Sequence, residues 1–124
     1  MKIFKTVLYV LFALMFINAG LNKFLNYMPM PELTPEQIKF FTAFTSITWL
    51  MPLVAAVEII GGLLFLIPRT RALGAIVILP VMVGVIIHHA IIDQSGIIIA
   101  LVLMAINILA IMDYRSKYEP MIRD

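Results

Sequence analysis

The chain has 124 residues, 63% of them hydrophobic and 13% charged, with a formal net charge of +2 and a mean hydropathy of +1.07. Soluble domains average about 45–50% apolar and about 25% charged, and a chain this short cannot enclose so much apolar surface in a water-facing core. The composition predicts one membrane domain over residues 1–124, in contact with lipid and with no nucleic-acid partner. The absence of cysteine excludes thiol redox chemistry, disulfides and thiolate metal sites.

Four apolar stretches cover residues 3–21, 48–67, 72–92 and 96–112. Each approaches the roughly 20 residues that span hydrocarbon, the last being short. None alternates polar with apolar, and an open sheet edge cannot sit in lipid, so strands are excluded. Spanning helices are expected over about 3–24, 47–67, 71–92 and 96–113. The second and third connections are very short and make neighbours antiparallel. The predicted fold is therefore all-α, an antiparallel four-transmembrane-helix bundle. Lys2 and Lys5 stand at the head of the first stretch, but it lacks an A-x-A site and exceeds a usual signal-peptide core, so it is expected to stay as a span.

After the first stretch, Pro29 and Pro31 forbid helix. Thr34 then reads as an N-cap, Pro35 as the first helical residue and Gln37 as the capping-box partner. The segment 35–45 carries Ile38, Phe41 and Phe44 on one side with Phe40 flanking, which predicts a short amphipathic helix at the outer interface. Tyr27 and Trp49 suit an aromatic belt. Pro52 and Pro80 fall inside predicted helices as ordinary membrane prolines. Pro68, Arg69, Thr70 and Arg71 form a tight turn whose arginines suit a helix C-terminus and anionic headgroups. Residues 113–124 read as a polar extension. With the N-terminus inside, Lys2, Lys5, Arg69, Arg71, Arg115, Lys117 and Arg123 lie in the cytoplasm, and Lys23 and Lys39 lie outside. This asymmetry predicts an N-in/C-in protein of a bacterial cytoplasmic (inner) membrane.

Glu58 is the one charge within residues 51–67. A carboxylate at bilayer depth costs at least a few kcal/mol unless it is protonated, paired or hydrated. At 1.5 Å per residue, Asn18 lies about 20 Å, and Asn22 and Lys23 about 26 Å, beyond Lys5. On the same scale Glu58 lies about 16 Å from Arg69 and His88 about 25 Å from Arg71, so all five share the outer half. Asn107, about 9 Å from Asp113, does not. Asn18 and Asn22 are four apart on one side of their helix. Glu58 shares a stripe with Ala55, Gly61 and Gly62, and His88 shares one with Gly84 and Pro80. His88 and His89 differ by about 100° around the helix, so one of them is expected to point inward, and the small Gly84 favours His88. The predicted ligand-binding group is Glu58, His88, Asn22, Lys23, Asn18 and Gly62. Plainer roles compete: snorkelling for Lys23, interhelical hydrogen bonding for the asparagines and above all for Asn107, an interfacial place near Asp93 for the histidines, and packing for the nine methionines. Glu58 is the hardest to explain as structure alone. No catalytic residue is identified. Neither haem nor another metal is expected, because adjacent histidines cannot both ligate one iron and Glu58 with His88 offers too few ligands.

Gly20-Leu21-Asn22-Lys23-Phe24, then Glu58-Ile59-Ile60-Gly61-Gly62-Leu63-Leu64 with the Pro68–Arg71 turn, then the histidines late in the third span, together resemble the DoxX family of small four-helix membrane proteins. The resemblance covers nearly the whole chain. It implies a fold more than an activity: the family takes its name from a subunit of archaeal quinol-oxidase and thiosulfate:quinone oxidoreductase systems, and relatives are linked to oxidative-stress complexes and receptor assembly. Redox function here would enter through quinone as cofactor or through a partner protein. Three functions are compatible with the residues. The first is an accessory component of a membrane redox system that binds a small amphipathic or quinone-like ligand. The second is an assembly factor for another membrane protein, and the third a small proton-coupled exporter. The expected partners are membrane lipid, that small ligand, and another membrane protein or a second copy of the chain.

Overall fold

The computed structural model describes residues 2–25, 27, 32–92 and 94–122. Pro29 and Pro31, Asp93 and Arg123 lie outside the described residues. Six α-helices follow in order: α1 (Lys2–Leu25), α2 (Pro35–Ser46), α3 (Leu50–Leu66), α4 (Arg71–Ile91), α5 (Ile97–Asp113) and α6 (Arg115–Ile122). Single 3₁₀ turns, Pro68–Thr70 and Gln94–Gly96, precede α4 and α5. Among the described residues there is no strand.

Helix α1, and α4 and α5 together with their leading turns, are long and apolar enough to cross a membrane. At 17 residues α3 reaches about 26 Å. It passes as a span only together with α2, from which it is bent by 89°, so the chain has three candidate spans, or four if that bent pair counts as one. The bend has a local cause: Ile47 is extended and ends α2, so the helix expected from residue 47 starts at Leu50. Pro52 then sits in the first turn of α3, where its missing N–H leaves no intrahelical bond unmade. The start of α2 is a complete capping box. Thr34 Oγ1 accepts from the Gln37 N–H at 3.2 Å, and Gln37 Oε1 accepts from the Thr34 N–H at 3.0 Å.

Glycines set the helix contacts. Gly20 of α1 lies against Ala55 and Ile59 of α3, while Gly62 of α3 lies against Ala13 and Ile17 of α1, an order that makes the two antiparallel. Gly74 of α4 rests on the backbone of Gly61 and Phe65, and Gly61 faces Val77 and Ile78. At the next turn the ring of His89 covers Gly96. Helix α5 closes back on α1, where Asp113 accepts from Lys5 Nζ at 3.0 Å and from the Tyr9 hydroxyl at 2.5 Å. The core inside these four helices is aromatic and small: Tyr9, Phe12, Ala13 and Phe16 meet Phe65, Ala75, Ile78, Met82 and Ala110. Phe12 centres 4.8 Å from Phe16 and 4.7 Å from Phe65.

Two expectations change at the end of the bundle that carries α6. Arg71 does not reach for headgroups. It is 3% exposed, gives Nε to the Phe65 carbonyl at 2.7 Å and Nη2 to the Leu66 carbonyl at 3.1 Å, and lies over the Tyr9 ring. The Thr70 hydroxyl donates to the Leu64 carbonyl at 2.7 Å. Three of the four orphan carbonyls that end any helix are thereby satisfied for α3. The polar extension is not loose either. It forms α6, whose Tyr118 hydroxyl donates to the Ala72 carbonyl at 2.6 Å.

Candidate functional site

At the opposite end of the bundle, where α2 sits, a cavity of about 770 Å³ lies among α1, α2, α3 and α4. Its polar wall is Lys23, Glu58, His88 and His89. The sequence of α1 explains how Lys23 arrives there. The buried residues Tyr9, Phe12, Ala13, Phe16 and Gly20 mark one helical stripe, and Lys23 continues it one turn beyond Gly20. Its cation also suits the negative end of the α1 dipole. Glu58 continues the α3 stripe that begins at Ala55 and runs on to Gly62 and Phe65. The two meet with Lys23 Nζ 2.6 Å from Glu58 Oε1, the carboxylate side chain 6% exposed and the lysine 28%. Removing a carboxylate from water costs several kcal/mol, and so close a counter-charge offsets much of that cost.

The remaining wall is aromatic and aliphatic. Phe40 and Phe44 come from α2, with ring centres 6.0 Å apart, and the Phe40 ring centres 4.5 Å from His88. Leu53 and Val57 come from α3, and Val81 and Val85 from α4. Pro80 and Gly84 line the same face of α4, and a Cβ added to Gly84 would meet nothing within 4 Å. Leu53, Pro80 and Gly84 are also exposed on the outside of the bundle, so the cavity opens sideways between α3 and α4.

The residues singled out from sequence divide here. Lys23, Glu58 and His88 come together on one cavity wall. His89 joins them, although one inward histidine was expected, because the cavity lies between the two side-chain directions in the last turn of α4. Asn18 and Asn22 are not on the wall. They stand two residues, about 200°, from Phe16 and Gly20 of the buried stripe. The Asn18 side chain and backbone carbonyl both take the Tyr27 hydroxyl. Gly62 offers no ligand space, since it is filled by the Ala13 carbonyl and Ile17. Asn107 is fully buried, and among the described residues neither of its polar side-chain atoms has a hydrogen-bond partner, interhelical or otherwise. Sequence reasoning missed Phe40 and Phe44 as wall residues, although their spacing on α2 was visible. It also missed the Lys5–Asp113–Tyr9 cluster, for which a tyrosine hydroxyl inside an apolar run was the available signal.

The site offers a buried acceptor, a cationic donor, aromatic rings and a hydrocarbon trough open to lipid. Among the described residues no three His, Asp or Glu side chains gather as a metal set. Neither the curated proteins nor the solved structures give a match to the chain. The family model described as the DoxX-like family matches residues 7–111, which takes in most of α1, the α2 and α3 segments, all of α4 and most of α5. With its apolar helices and this match over most of its length, the chain is a membrane protein of the DoxX-like family.

Proposed function

We propose that the cavity beside α2 binds a small amphipathic molecule drawn from the bilayer, a quinone or a molecule of similar shape. In this reading the protein serves a membrane redox system as an accessory component. The observation that carries the proposal is the Lys23–Glu58 pair, which sits on the wall of an apolar cavity of about 770 Å³, within the usual range for a ligand pocket. A quinone ring would lie against Phe40 and His88, its oxygens would meet Lys23, and its tail would follow Leu53, Val57 and Val81 towards lipid. The redox role is drawn from the family resemblance, because the chain carries no cysteine of its own.

The orientation belongs to the same proposal. With four spans and both termini in the cytoplasm of a bacterial inner membrane, the cavity faces the outer leaflet and α2 lies at the outer interface. The chain has no cysteine, so single substitutions report sidedness cleanly. Thr42→Cys should react with an impermeant maleimide added outside intact cells, and Ser116→Cys should react only after lysis.

Binding is tested with a photoreactive azidoquinone carrying a decyl tail, in vesicles containing the protein. Label should map to α2 and α4 around Phe40 and Val85, should be competed by unlabelled decylquinone, and should vanish in Gly84→Leu. Label spread over the exposed face of α5 without competition would defeat the proposal.

A further inference from the structure

Glu58 is 5% exposed on the cavity wall, and Lys23 is its one polar partner among the described residues. An ionised carboxyl has about four lone-pair sites and an ammonium three N–H donors, so a single contact between them leaves both with capacity to spare. Among the described residues no other Asp, Glu, Lys or Arg lines the cavity. The pair therefore presents a donor and an acceptor side by side whose charges cancel, set in hydrocarbon. A further charge placed against the pair would find both members already matched and would draw one of them away from the other.

We infer that the cavity selects an uncharged amphiphile. A hydroxyl or carbonyl head sits between Lys23 and Glu58, and the tail lies along Leu53, Val57, Val81 and Val85. A fatty-acid anion or an alkylammonium cation of the same length is rejected. The inference rests on the cavity being a ligand site, and it adds the charge class of the ligand.

Three photoreactive probes with the same diazirine-bearing decyl chain test it: an alcohol, a carboxylate and a quaternary ammonium. The full chain is placed in phosphatidylcholine vesicles at alkaline pH, so that the carboxylate is ionised. Labelling of cavity residues is read by mass spectrometry and divided by labelling of the exposed face of α5 (Ile98, Leu101, Val102), which corrects each probe for partitioning. In the wild type the alcohol should exceed either ion by about tenfold or more, since an uncompensated buried charge costs well over the 1.4 kcal/mol that a factor of ten represents. Glu58→Gln leaves Lys23 unbalanced and should turn the preference to the carboxylate. Lys23→Gln should turn it to the ammonium, and the double variant should return it to the alcohol. Equal cavity labelling by alcohol and carboxylate in the wild type overturns the inference while leaving the ligand site standing, as does an unmoved preference in both single variants. Labelling at the α5 level by all three probes overturns both. The wild-type ratios decide the selectivity even where a single variant fails to insert.

Discussion

Lys23 in the last turn of α1 and Glu58 near the middle of α3 meet at 2.6 Å, and their contact is the polar end of a seam that is otherwise aromatic and small. Removing one partner leaves the other without its counter-charge. Lys23→Met should cost about 2 kcal/mol, less than a fully buried pair would, because the lysine is partly exposed. Adding Glu58→Leu should recover more than half of that loss. A double-mutant cycle from steric-trap unfolding in bicelles reads the coupling, and strictly additive losses would show that the two side chains do not depend on each other.

Arg71 is held as a fork, with Nε and Nη2 on successive carbonyls of α3 and the guanidinium over Tyr9. Lysine is a point charge that can neither bridge two carbonyls in a plane nor stack in this way. Arg71→Lys should therefore lower stability by about 1–3 kcal/mol, the usual range for hydrogen bonds made by charged groups. The neighbouring Arg69 is exposed, so Arg69→Lys should stay within about 0.5 kcal/mol. Equal melting temperatures for the two variants would contradict the clamp.

The meeting of Lys23, Glu58 and His88 could be read from the sequence, because depth follows from counting residues and a charge in an apolar run demands company. Facing could not be read as well. Every side of α1 is apolar, so the pattern does not announce the buried stripe, and Asn18 and Asn22 share a face that is turned away from the cavity. The stripe was written in residue size instead, in Tyr9, Phe12, Ala13, Phe16 and Gly20. Gly62 and Gly84 look alike in sequence. Which of them has an empty neighbour depends on the partner helix, and residue spacing carries no trace of that. Arg71 and Arg69 also look alike, yet the 3₁₀ turn between α3 and α4 points one inward and leaves the other exposed.

Asn107 is buried at 0% exposure, and neither of its side-chain polar atoms has a partner among the described residues. A buried group with unmade hydrogen bonds costs about 1–3 kcal/mol, whereas an apolar group of similar shape costs nothing of the kind. Asn107→Leu should raise stability by about 1 kcal/mol or more, seen as a higher melting temperature in detergent. Asn107→Ala should gain less, because it leaves a void. A lower melting temperature for the leucine variant would mean that the amide is satisfied in the membrane.

Tyr118 lies beyond the spans, and burial of its hydroxyl against α4 raises its pKa above the ordinary 10.0. The folded state favours the neutral phenol. The contribution of this contact is thus complete below the ordinary value and is lost as pH rises through the higher folded-state value. A spin label at Met121→Cys, on the exposed side of α6, should stay immobile at neutral pH and loosen only above pH of about 10. With Tyr118→Phe, which lacks the hydroxyl, the label should be looser already at neutral pH and should show no such step.

Glycine substitutions separate packing from ligand space. A Cβ on Gly74 would sit 2.8 Å from both the Gly61 carbonyl oxygen and Phe65 Cα, and backbone on both sides cannot give way. Gly74→Ala should therefore force α3 and α4 apart, at a cost of about 2 kcal/mol or more, as overpacking typically does. Gly62→Ala meets the Ala13 carbonyl at 3.0 Å and the Ile17 side chain at 2.7 Å, and since the side chain can move, the loss should be smaller. At Gly84 nothing stands in the way, so alanine should stabilise α4 by about 0.5–1 kcal/mol through helix propensity alone. Extending the same position to leucine should keep the fold and close the cavity. The order of melting temperatures, Gly84→Ala above wild type, then Gly62→Ala, then Gly74→Ala, tests the packing. Loss of quinone labelling in Gly84→Leu at an unchanged melting temperature tests the cavity. If Gly84→Leu melted as low as Gly74→Ala, the space beside Gly84 would be part of the helix contact, and the wall between α3 and α4 would be closed in the membrane.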